Sequence, residues 1–473
     1  MNDTKTVDVA ILGAGTAGMA AYRAVRREGR TALLIEAGAY GTTCARVGCM
    51  PSKLLIAAAD AAHRARHAAP FGVRTTVAVD GKEVMARVRG ERDRFVGFVL
   101  ESIESFPAED RLLGQARLVG PHTLELTGAH GVVRVNAKAI VVATGSSPWL
   151  PPVFDAVKDR IVVNDHVFDW TDLPPSAVVF GAGVIGLELG QALTRLGVKV
   201  KVLGRSGTIG PLKDPVVKEA AAKALHAELD ADFDAEVRSI APLGEGTGVA
   251  VTFVDKDGNE RTDTFSVALV AAGRRPNVVG LGLEHAGVAV DVKVDRRTLR
   301  WGSSNVFRAG DVNDDMPLLH EAADEGAIAG TNAARLAAGL APLPGHRRTP
   351  LGIVFSDPNI AVVGGGYPAA EAQGAFVAGA IDFGDQGRSR VMRENHGAAR
   401  LYANPETRRF LGAELAGPRV EHMAHLLAWA HQARLTVDDM LAMPFYHPVV
   451  EEGLRTALRD LASKLPKKEE KES

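Results

Sequence analysis

The sequence VDVAILGAGTAG, residues 7–18, carries the pattern that decides the fold of the first part of the chain. Its first six residues are mostly apolar and lack helical spacing, which predicts a buried parallel strand. Three glycines follow at once, at Gly13, Gly15 and Gly18, in the pattern G-x-G-x-x-G. This spacing permits a tight turn and a close approach of the backbone to a pyrophosphate at a helix amino terminus. The stretch therefore predicts the first turn of a dinucleotide-binding βαβ unit.

The residues after these glycines complete the unit. Residues 16–28 predict a helix that Gly29 ends, and residues 31–37 predict a second strand. Glu36 lies at the end of this strand, where a carboxylate can accept hydrogen bonds from ribose hydroxyl groups. Because strand, turn, helix, strand and acid follow one another at the expected distances, we predict a dinucleotide site here.

A second copy of the unit lies in AVVFGAGVIG, residues 177–186. The glycines of this copy are Gly181, Gly183 and Gly186. The position that corresponds to Glu36 is Gly204, and Arg205 follows it. A carboxylate there would repel the 2′-phosphate of NADP, whereas an arginine can pair with it. The second site therefore favours NADP(H) over NAD(H); a solvated surface cation is the alternative interpretation of Arg205.

The composition is that of an ordinary globular protein. A length of 473 residues suggests about three domains. A net charge of -2 gives no electrostatic footprint for nucleic acid, and no apolar run approaches the roughly 20 residues of a membrane span. The first residues lack the order of a signal peptide, so we expect a cytoplasmic protein with no nucleic-acid or membrane partner.

The two cysteines of the chain, Cys44 and Cys49, both lie in GTTCARVGCMPSK, residues 41–53. A structural zinc site needs four ligands, and a structural disulfide closing so small a loop contributes little in a reducing compartment. We therefore predict no metal and a redox-active dithiol–disulfide pair; two unrelated buried thiols are the alternative. Pro51 and Ser52 suggest that a helix begins nearby, and its positive end would lower the pKa of a thiolate.

Residues 41–53 resemble the active-site segment of the class I pyridine nucleotide-disulfide oxidoreductases, most closely that of the dihydrolipoamide dehydrogenases. Other segments resemble this family in the same order along the chain. They are ATG at 143–145, AAGRRPN at 271–277, FRAGDV at 307–312, MPLLHEAADEG at 316–326 and HPVVEE at 447–452.

The resemblance implies an α/β fold with two Rossmann-like dinucleotide-binding domains, for FAD and NAD(P), and an α+β carboxy-terminal dimerisation domain. The FAD domain is expected to be discontinuous, with residues 1–150 and 276–345 on either side of an NAD(P) domain formed by residues 151–275. Residues 346–465 would form the dimerisation domain, and residues 466–473 a charged flexible tail.

The resemblance also implies how the thiols and the flavin work together. Cys49 would face the flavin and form a charge-transfer thiolate, and Cys44 would exchange with the substrate dithiol or disulfide. Lys53 would lie near flavin N5 and pair with Glu188, which would stabilise the anionic reduced flavin.

Proton transfer is assigned to His447. It is followed by a proline, and Glu452 lies where it can orient the imidazole. In relatives this pair reaches the disulfide of the opposite subunit, so the active form would be a homodimer with a shared active site.

The resemblance implies further contacts with the cofactors in the motifs already described. Asp311 would hold the ribityl chain, and the segment from residue 316 would cover the pyrimidine side of the flavin. The cofactor-binding residues are Gly13, Gly15, Gly18, Glu36, Thr43, Lys53, Ala116, Thr144, Gly145, Gly181, Gly183, Gly186, Glu188, Gly204, Arg205, Gly273, Arg274, Asp311, Leu319, His320 and Ala322.

Three features depart from the dihydrolipoamide dehydrogenase pattern. They are Gly204 with Arg205 at the nicotinamide site, Ala45 with Arg46 between the cysteines, and Tyr446 and Val449 around His447. The leading hypothesis is a dihydrolipoamide dehydrogenase that acts on lipoyl domains or a small dithiol. The alternative is an NADPH-dependent reductase of a low-molecular-weight disulfide such as glutathione disulfide.

Other members and a non-enzymatic role fit less well. A mercuric reductase would need a second cysteine pair near the carboxy terminus, and residues 348–473 contain no cysteine. Soluble transhydrogenases lack the intact pair. An FAD-binding scaffold is the alternative outside the enzymes, and it would not require Cys44, Cys49, His447 and Glu452.

Overall fold

The computed structural model describes residues 4–129, 131–246, 248–255, 257–289 and 292–466. The helices are α1 (Thr16–Arg27), α2 (Thr43–Val47), α3 (Cys49–Arg66), α4 (Gly81–Glu104), α5 (Asn164–Val167), α6 (Val184–Arg195), α7 (Pro215–His226), α8 (Leu319–Ala337), α9 (Gly366–Ala372), α10 (Gly387–Met392), α11 (Val420–Gln432), α12 (Val437–Leu441) and α13 (Glu452–Lys464).

The strands up to the middle of the chain are β1 (Thr4–Leu12), β2 (Ala32–Glu36), β3 (Arg111–Leu113), β4 (Gln115–Gly120), β5 (Thr123–Gly128), β6 (Gly131–Val142), β7 (Ser146–Pro148), β8 (Ile161–Val162), β9 (Ser176–Phe180), β10 (Lys199–Leu203) and β11 (Ala231–Asp232). The later strands are β12 (Glu236–Pro242), β13 (Val249–Val254), β14 (Glu260–Phe265), β15 (Val267–Val270), β16 (Arg274–Pro276), β17 (Val306–Arg308), β18 (Leu351–Val354), β19 (Asn359–Val363), β20 (Val377–Asp382), β21 (Ala398–Ala403) and β22 (Phe410–Gly417).

The chain divides into two compact units. The first contains the chain up to Leu54, Ala86–Trp149 and Gly273–Arg347. The second contains Leu55–Met85, Leu150–Ala272 and the chain from Arg348 onward. The charged tail predicted for residues 466–473 lies outside the described residues, apart from Pro466.

The first unit is built on a sheet with the strand order β3-β2-β1-β6-β5-β4, and β17 pairs with the other side of β6. Strands β3, β2, β1, β6 and β17 run parallel, while β4 and β5 form an antiparallel extension. Val9–Leu12 of β1 is buried, as expected for a parallel strand covered on both faces. The parallel strands end at one edge, where Leu12 pairs with Ile35 and Val142.

Helices α1 and α8 pack closely in this unit because α8 presents two glycines to α1. A Cβ atom at Gly326 would overlap the backbone of Ala17, and one at Gly330 would overlap the backbone of Ala21. Small residues let two helix backbones approach each other, so these glycines set the position of α8 beside the glycine turn that precedes α1.

The chain leaves and re-enters the first unit through two adjacent strands. Strands β7 and β16 pair antiparallel, with Arg274 opposite Pro148 and Pro276 opposite Ser146. Asn277 reinforces this connection, because its side-chain amide donates a 3.0 Å hydrogen bond to the carbonyl of Thr144. The two sequence motifs at residues 143–145 and 271–277 therefore meet in space.

The second unit contains three sheets. A parallel sheet has the order β11-β10-β9-β15-β8, and an antiparallel sheet has the order β12-β13-β14. A third, antiparallel sheet has the order β18-β19-β22-β21-β20, and α11 and α13 contribute to its hydrophobic core. Strand β9 of the first sheet leads directly into the second glycine motif, the second sheet follows that motif in the chain, and the third sheet belongs to the last segment. Over the residues that the structure describes, no helix is both long and apolar enough to cross a bilayer.

Candidate active site

A sharp turn places the two cysteines side by side. Cys44 lies on α2, whose amino terminus is capped by the Thr42 hydroxyl, which accepts a 3.2 Å hydrogen bond from the Ala45 N–H. Gly48 ends this short helix, and a Cβ atom there would lie 3.0 Å from the Thr43 carbonyl oxygen and 3.3 Å from the Cys44 Cα. The chain can therefore fold back directly onto Cys44.

Cys49 is the first residue of α3, so the helix begins two residues before Pro51. The sequence predicted a helix start near Pro51 and Ser52, and the structure moves that start onto the cysteine itself. Proline fits the first turn of a helix because the N–H it lacks has no intrahelical partner there. The Ser52 hydroxyl donates a 3.0 Å hydrogen bond to the Cys49 carbonyl, which stabilises this turn.

The electrostatics of the pair separate the two thiols. A hydrogen bond from the Cys44 thiol to Cys49, burial, and the charge of a Cys49 thiolate raise the pKa of Cys44 far above its usual range. The Cys49 N–H and the Lys53 ammonium oppose this shift but do not cancel it. The lowered thiolate pKa expected at the helix start is thus not a property of Cys44, which lies on α2. The raised pKa of Cys44 favours the protonated thiol at this position.

Lys53 lies in the first turns of α3 and acts electrostatically on Cys44, so the structure brings it to the cysteine pair. Its predicted partner Glu188 lies on α6 in the second unit and is buried. The Glu188 carboxylate accepts a 2.9 Å hydrogen bond from the Phe355 N–H, a contact that the sequence did not predict.

The first glycine turn has the shape that a pyrophosphate requires. Gly13 has a φ of 104°, and a Cβ atom there would overlap Ala143. A Cβ atom at Gly18 would overlap the carbonyl of Gly13, whereas one at Gly15 would meet no atom within 4 Å. The first and third glycines are thus needed for packing, and the second leaves open space in front of the amino terminus of α1.

Glu36 ties this turn to β2. One carboxylate oxygen accepts a 2.8 Å hydrogen bond from the Ala14 N–H, and the other accepts a 2.9 Å hydrogen bond from the Gly38 N–H. The carboxylate therefore lies at the edge of the sheet beside the glycine turn, where the sequence predicted it.

The second glycine turn repeats this geometry. Gly15 and Gly183 share the same backbone dihedrals, -74° and -172°. A Cβ atom at Gly181 would overlap Ala271, one at Gly186 would overlap Gly181, and one at Gly183 would meet no atom within 4 Å. The residues present therefore fit two bound dinucleotides, one at each helix amino terminus.

Gly204 and Arg205 differ from the first site for a steric reason. A Cβ atom at Gly204 would lie 2.8 Å from the Cα of Phe233 and 3.1 Å from the Cβ of Ala182. No side chain fits at this position, so the absence of an acid follows from packing as well as from recognition. Arg205 is exposed, whereas Lys201 is buried and its ammonium lies 2.7 Å from Asp230. Of these cations, Arg205 is the one that faces solvent.

The connection between the units gathers a further group of predicted residues around Asp311. The Ser146 hydroxyl donates a 3.2 Å hydrogen bond to Asp311 and accepts a 2.9 Å hydrogen bond from Nε of Arg274. The neighbouring positions Thr144, Gly145 and Gly273 lie in the same crossing, through backbone and side-chain bonds to Asn277 and Trp149. Ser146 and Asn277 were missed by the sequence analysis, because only the folded crossing brings them to Asp311 and Thr144.

Helix α8 begins at Leu319, which is exposed, and Ala322 is buried. The Nε2 atom of His320 is buried without a hydrogen-bond partner among the described residues, as expected of a group that awaits a ligand. Thr43 lies exposed on α2. Ala116 is buried on β4, where it pairs with Leu126.

His447 and Glu452 form a defined pair. The Nδ1 atom of His447 lies 2.8 Å from a Glu452 carboxylate oxygen, and the other oxygen accepts a 2.8 Å hydrogen bond from Arg455. The His447 side chain is 80% exposed, whereas that of Glu452 is 16% exposed. The imidazole is thus held by its Nδ1 side and presents Nε2 to the outside of the chain. Among the described residues, no group of three or more acidic, histidine or cysteine side chains is arranged to hold a metal ion.

Comparisons with known proteins show the family of the chain. A family model described as pyridine nucleotide-disulphide oxidoreductase matches residues 7–326, and a model of its dimerisation domain matches residues 351–458. Dihydrolipoyl dehydrogenase of Halobacterium salinarum is 30% identical over 459 residues, covering 95% of this chain and 95% of that protein. Dihydrolipoyl dehydrogenase of Geobacillus stearothermophilus is 29% identical over 450 residues, covering 93% of each.

Solved structures have the same fold. The crystal structure of LpdA from Mycobacterium tuberculosis matches with a TM-score of 0.80 and 26% identity, covering 96% of this chain and 99% of that one. The HOCl-induced flavoprotein disulfide reductase RclA from Escherichia coli matches with a TM-score of 0.78 and 22% identity, covering 97% and 100%.

Two dinucleotide-binding turns and an adjacent dithiol define a redox protein that couples nucleotides to thiol–disulfide exchange. The chain belongs to the pyridine nucleotide-disulphide oxidoreductase family. It is an FAD- and NAD(P)-dependent disulfide oxidoreductase with the α/β fold and the dimerisation domain of that family. The family, the fold class, the enzyme class and the two cofactors predicted from the sequence are confirmed.

Proposed function

We propose that this enzyme exchanges electrons between a dihydrolipoyl group and NAD(P), with Cys44 and Cys49 as its redox-active pair. The observation that carries this proposal is the turn at Gly48, which folds the chain back onto Cys44 and makes Cys49 the first residue of α3. Relatives named dihydrolipoyl dehydrogenase that match the chain over nearly its whole length support the choice of substrate.

Within this proposal the chain supplies the thiol chemistry. The oxidised pair is a Cys44–Cys49 disulfide, and a substrate thiolate attacks the sulfur of Cys44. The bond between the cysteines breaks, Cys49 leaves as a thiolate, and a mixed disulfide joins Cys44 to the substrate. The second substrate thiol then attacks that mixed disulfide, which releases the substrate as a disulfide and Cys44 as a thiol. The contacts of Cys44 match this end state, with the proton on Cys44 and the charge on Cys49.

The flavin supplies the step that sulfur cannot perform, since it exchanges an electron pair with the dithiol on one side and a hydride with the nicotinamide on the other. Lys53 is proposed to lie beside it and to stabilise its negative charge, with Glu188 as the partner of Lys53. His447 is proposed to accept the proton of the attacking substrate thiol at Nε2, while Glu452 fixes the ring through Nδ1.

The assignment of domains to cofactors is part of the proposal. We assign residues 1–150 and 276–345 to FAD, residues 151–275 to NAD(P), and residues 346–465 to dimerisation. On the FAD side, Glu36 is the proposed contact to the adenosine ribose, and Asp311 is the proposed contact to the ribityl chain. Residues 55–85 cluster with the second unit although they are assigned here to FAD, and the boundaries also differ at residues 150, 273–275 and 346–347.

The dimerisation domain supports a homodimer in which His447 serves the cysteine pair of the partner. The exposed imidazole is available for such a role. Helix α11 also presents an outer stripe of His422, His425, Leu426 and Trp429, and the last of these is 70% exposed. The exposed apolar side chains of this stripe, on the domain that dimerises in relatives, are a suitable contact for a second copy of the chain.

We also propose the cytoplasm as the compartment, because a disulfide that is repeatedly reduced and re-formed suits reducing surroundings.

A second candidate is an NADPH-dependent reductase of a low-molecular-weight disulfide. The exposed Arg205 beside Gly204, which has no room for an acid, favours it through its preference for a 2′-phosphate.

Steady-state rates separate the two candidates. We expect turnover of lipoamide with at least one nicotinamide, and faster turnover of lipoamide than of glutathione disulfide. The variants Cys44→Ser and Cys49→Ser should lose turnover by about a thousandfold or more while they keep the absorbance of bound FAD. Absence of lipoamide turnover with both NADH and NADPH would overturn the substrate. Full activity in either serine variant would favour a role outside disulfide chemistry.

A further inference from the structure

Two buried carboxylates lie one helical turn apart on α8 and share a single arginine. Glu321 is 2% exposed and Glu325 is 3% exposed. The Arg347 Nη2 atom donates a 3.0 Å hydrogen bond to Glu321. Its Nη1 atom lies 2.9 Å from Glu325, in an ion pair that lacks the alignment of a hydrogen bond. Arg347 is also the last residue of the first unit, where the chain continues into the dimerisation domain.

The second oxygen of Glu325 holds the turn that contains Asp311. It accepts a 2.8 Å hydrogen bond from the Gly310 N–H and a 2.6 Å hydrogen bond from the Asn313 side chain. Gly310 has a φ of 81°, and a Cβ atom there would lie 3.0 Å from that of Ala17. The turn therefore has little room to move, and its buried N–H depends on Glu325 as an acceptor.

The burial of Glu321 and Glu325 explains why the positive charge of Arg347 matters. Burial raises the pKa of Glu325, although its hydrogen bonds and Arg347 work in the opposite direction. Two carboxylates so close in an apolar setting repel each other unless a cation lies between them.

Other charged groups also face the cluster. Asp315 lies 3.8 Å from Arg347 and forms an ion pair with Arg296. Asp314, in the turn, and Arg308, on β17, are charged groups close to Glu325. Arg296 is mostly exposed and pairs with Asp315, and Arg308 bonds the Val312 carbonyl. Arg347 is therefore the cation that contacts both glutamates in the described part of the chain.

We propose that Arg347 is a positioning residue for the FAD site, which holds Glu325 as the acceptor of the turn Gly310–Asn313. This inference rests on the proposed assignment of Asp311 and α8 to FAD. Without Arg347 the two glutamates can separate by moving α8 or the turn toward water, and FAD binding then has to reverse that movement. The sequence alone does not reveal the pairing, because Arg347 lies beyond the end of α8, far from Glu325 in the chain, and contacts it only in the folded protein.

The test compares FAD binding by deflavinated full-length variants, followed by the quenching of flavin fluorescence, between about pH 6 and about pH 9. The wild type and the control Arg335→Met are expected to bind with an affinity that varies little with pH. Arg335 lies on the same helix and donates to the Ala341 carbonyl. Arg347→Met is expected to bind about as tightly as wild type at the lowest pH. Its affinity should fall by about tenfold or more as the pH rises and Glu325 loses its proton, because burial raises the pKa of Glu325 and Arg347 no longer opposes that shift.

Two further variants separate charge from packing. Glu321→Gln in the Arg347→Met background should restore most of the affinity at high pH, because only one buried carboxylate remains. Arg347→Lys should retain an intermediate affinity and a weak pH dependence, and it serves as the test if Arg347→Met does not fold. A pH-independent loss, or no rescue by Glu321→Gln, would overturn the inference. A wild-type protein that takes up no FAD would overturn the proposed function instead.

Discussion

The turn at Gly48 brings Cys44, on α2, beside Cys49, and Cys49 is the residue at which α3 begins. This relationship makes the two sulfurs unequal before any substrate is bound. A helix amino terminus favours negative charge, and the Lys53 ammonium lies in the same first turns. Cys44 is half-buried while Cys49 is exposed in the chain as described. The pair is therefore arranged to keep a proton on one sulfur and a charge on the other.

The first prediction concerns the titration of Cys44. Replacing Cys49 by alanine removes the hydrogen-bond partner and the neighbouring charge that raise the pKa of Cys44, so this pKa should fall by several units. The measurement is the thiolate absorbance of the reduced protein as a function of pH. The double variant Cys44→Ala/Cys49→Ala is the control that assigns the signal, because no thiol remains and the titration should disappear. An unchanged titration of Cys44 in Cys49→Ala would contradict the hydrogen bond as the cause.

The second prediction concerns the choice of nicotinamide. Arg205→Glu should lower kcat/KM for NADPH, because a cation that pairs with a 2′-phosphate becomes a repelling anion. The ratio of kcat/KM for NADH to kcat/KM for NADPH should rise by about tenfold or more. Lys199→Glu is the matched control, since Lys199 is exposed at the start of β10, the strand that ends shortly before Arg205. Equal shifts in the two variants would mean that the effect is general electrostatics and not recognition at Arg205.

Gly204 gives the third prediction, which separates packing from recognition. Gly204→Glu would restore an acid at the position that matches Glu36, yet its Cβ atom would meet the backbone of Phe233. We expect a loss of stability of about 1–3 kcal/mol and no gain in NADH use. Thermal unfolding with and without NADH measures both effects. A stable Gly204→Glu variant that prefers NADH would show that the loop around Phe233 can move away.

Much of the fold was predictable because its signals are local. Gly13 also meets the distant Ala143, but the contact that requires glycine at Gly18 lies within the turn itself, so the spacing in the sequence is enough to predict the shape of the turn. The dithiol was predictable for the same reason, since Cys44 and Cys49 share one short segment. Spacing did not reveal the inequality of the two thiols, because it depends on which sulfur donates and which is more buried.

Contacts between distant segments were not predictable from one sequence. Glu325 and Arg347 read as ordinary residues of a polar helix and a loop, and their pairing depends on how the chain after α8 folds back. Glu188 was assigned to Lys53 by resemblance, whereas its contact with the Phe355 N–H follows from the packing of α6 against the last segment. Buried charges acquire a role only through such partners, so a sequence pattern does not reveal it.

A fourth prediction concerns acid stability and a buried network around Arg195. Burial opposes ionisation of Glu228, but hydrogen bonds from His63 and Arg195 lower its pKa from 4.5 to about 2. Arg195 lies 2.7 Å from Glu228, from Asp60 and from Asp357. A carboxyl whose pKa is depressed in the folded state stabilises the protein above its unfolded pKa. This stabilisation should therefore be full above about pH 5 and should be lost as the pH falls toward about 2.

The measurement for this network is urea unfolding at several pH values. Glu228→Gln should lower the free energy of unfolding at neutral pH by about 1–2 kcal/mol, after allowance for solvent screening, and should flatten its acid dependence. Glu236→Gln is the matched control, because Glu236 forms an exposed ion pair with Arg238 and should change stability little. An acid dependence that is the same in Glu228→Gln and wild type would place the titrating group elsewhere.

The last prediction tests whether His447 works on the cysteine pair of a partner subunit. Cys49→Ser and His447→Ala should each be nearly inactive as homodimers, the second by about a hundredfold or more through loss of proton transfer. If the site is shared, a hybrid dimer of Cys49→Ser and His447→Ala has one site with both defects and one site with neither. Equal mixing after dissociation makes about half of the dimers hybrids, so about a quarter of wild-type activity should be recovered. Mixing Cys49→Ser with Cys44→Ser is the matched control and should recover none, because each site then lacks one sulfur. If neither mixture regains activity, His447 serves the cysteines of its own chain or none.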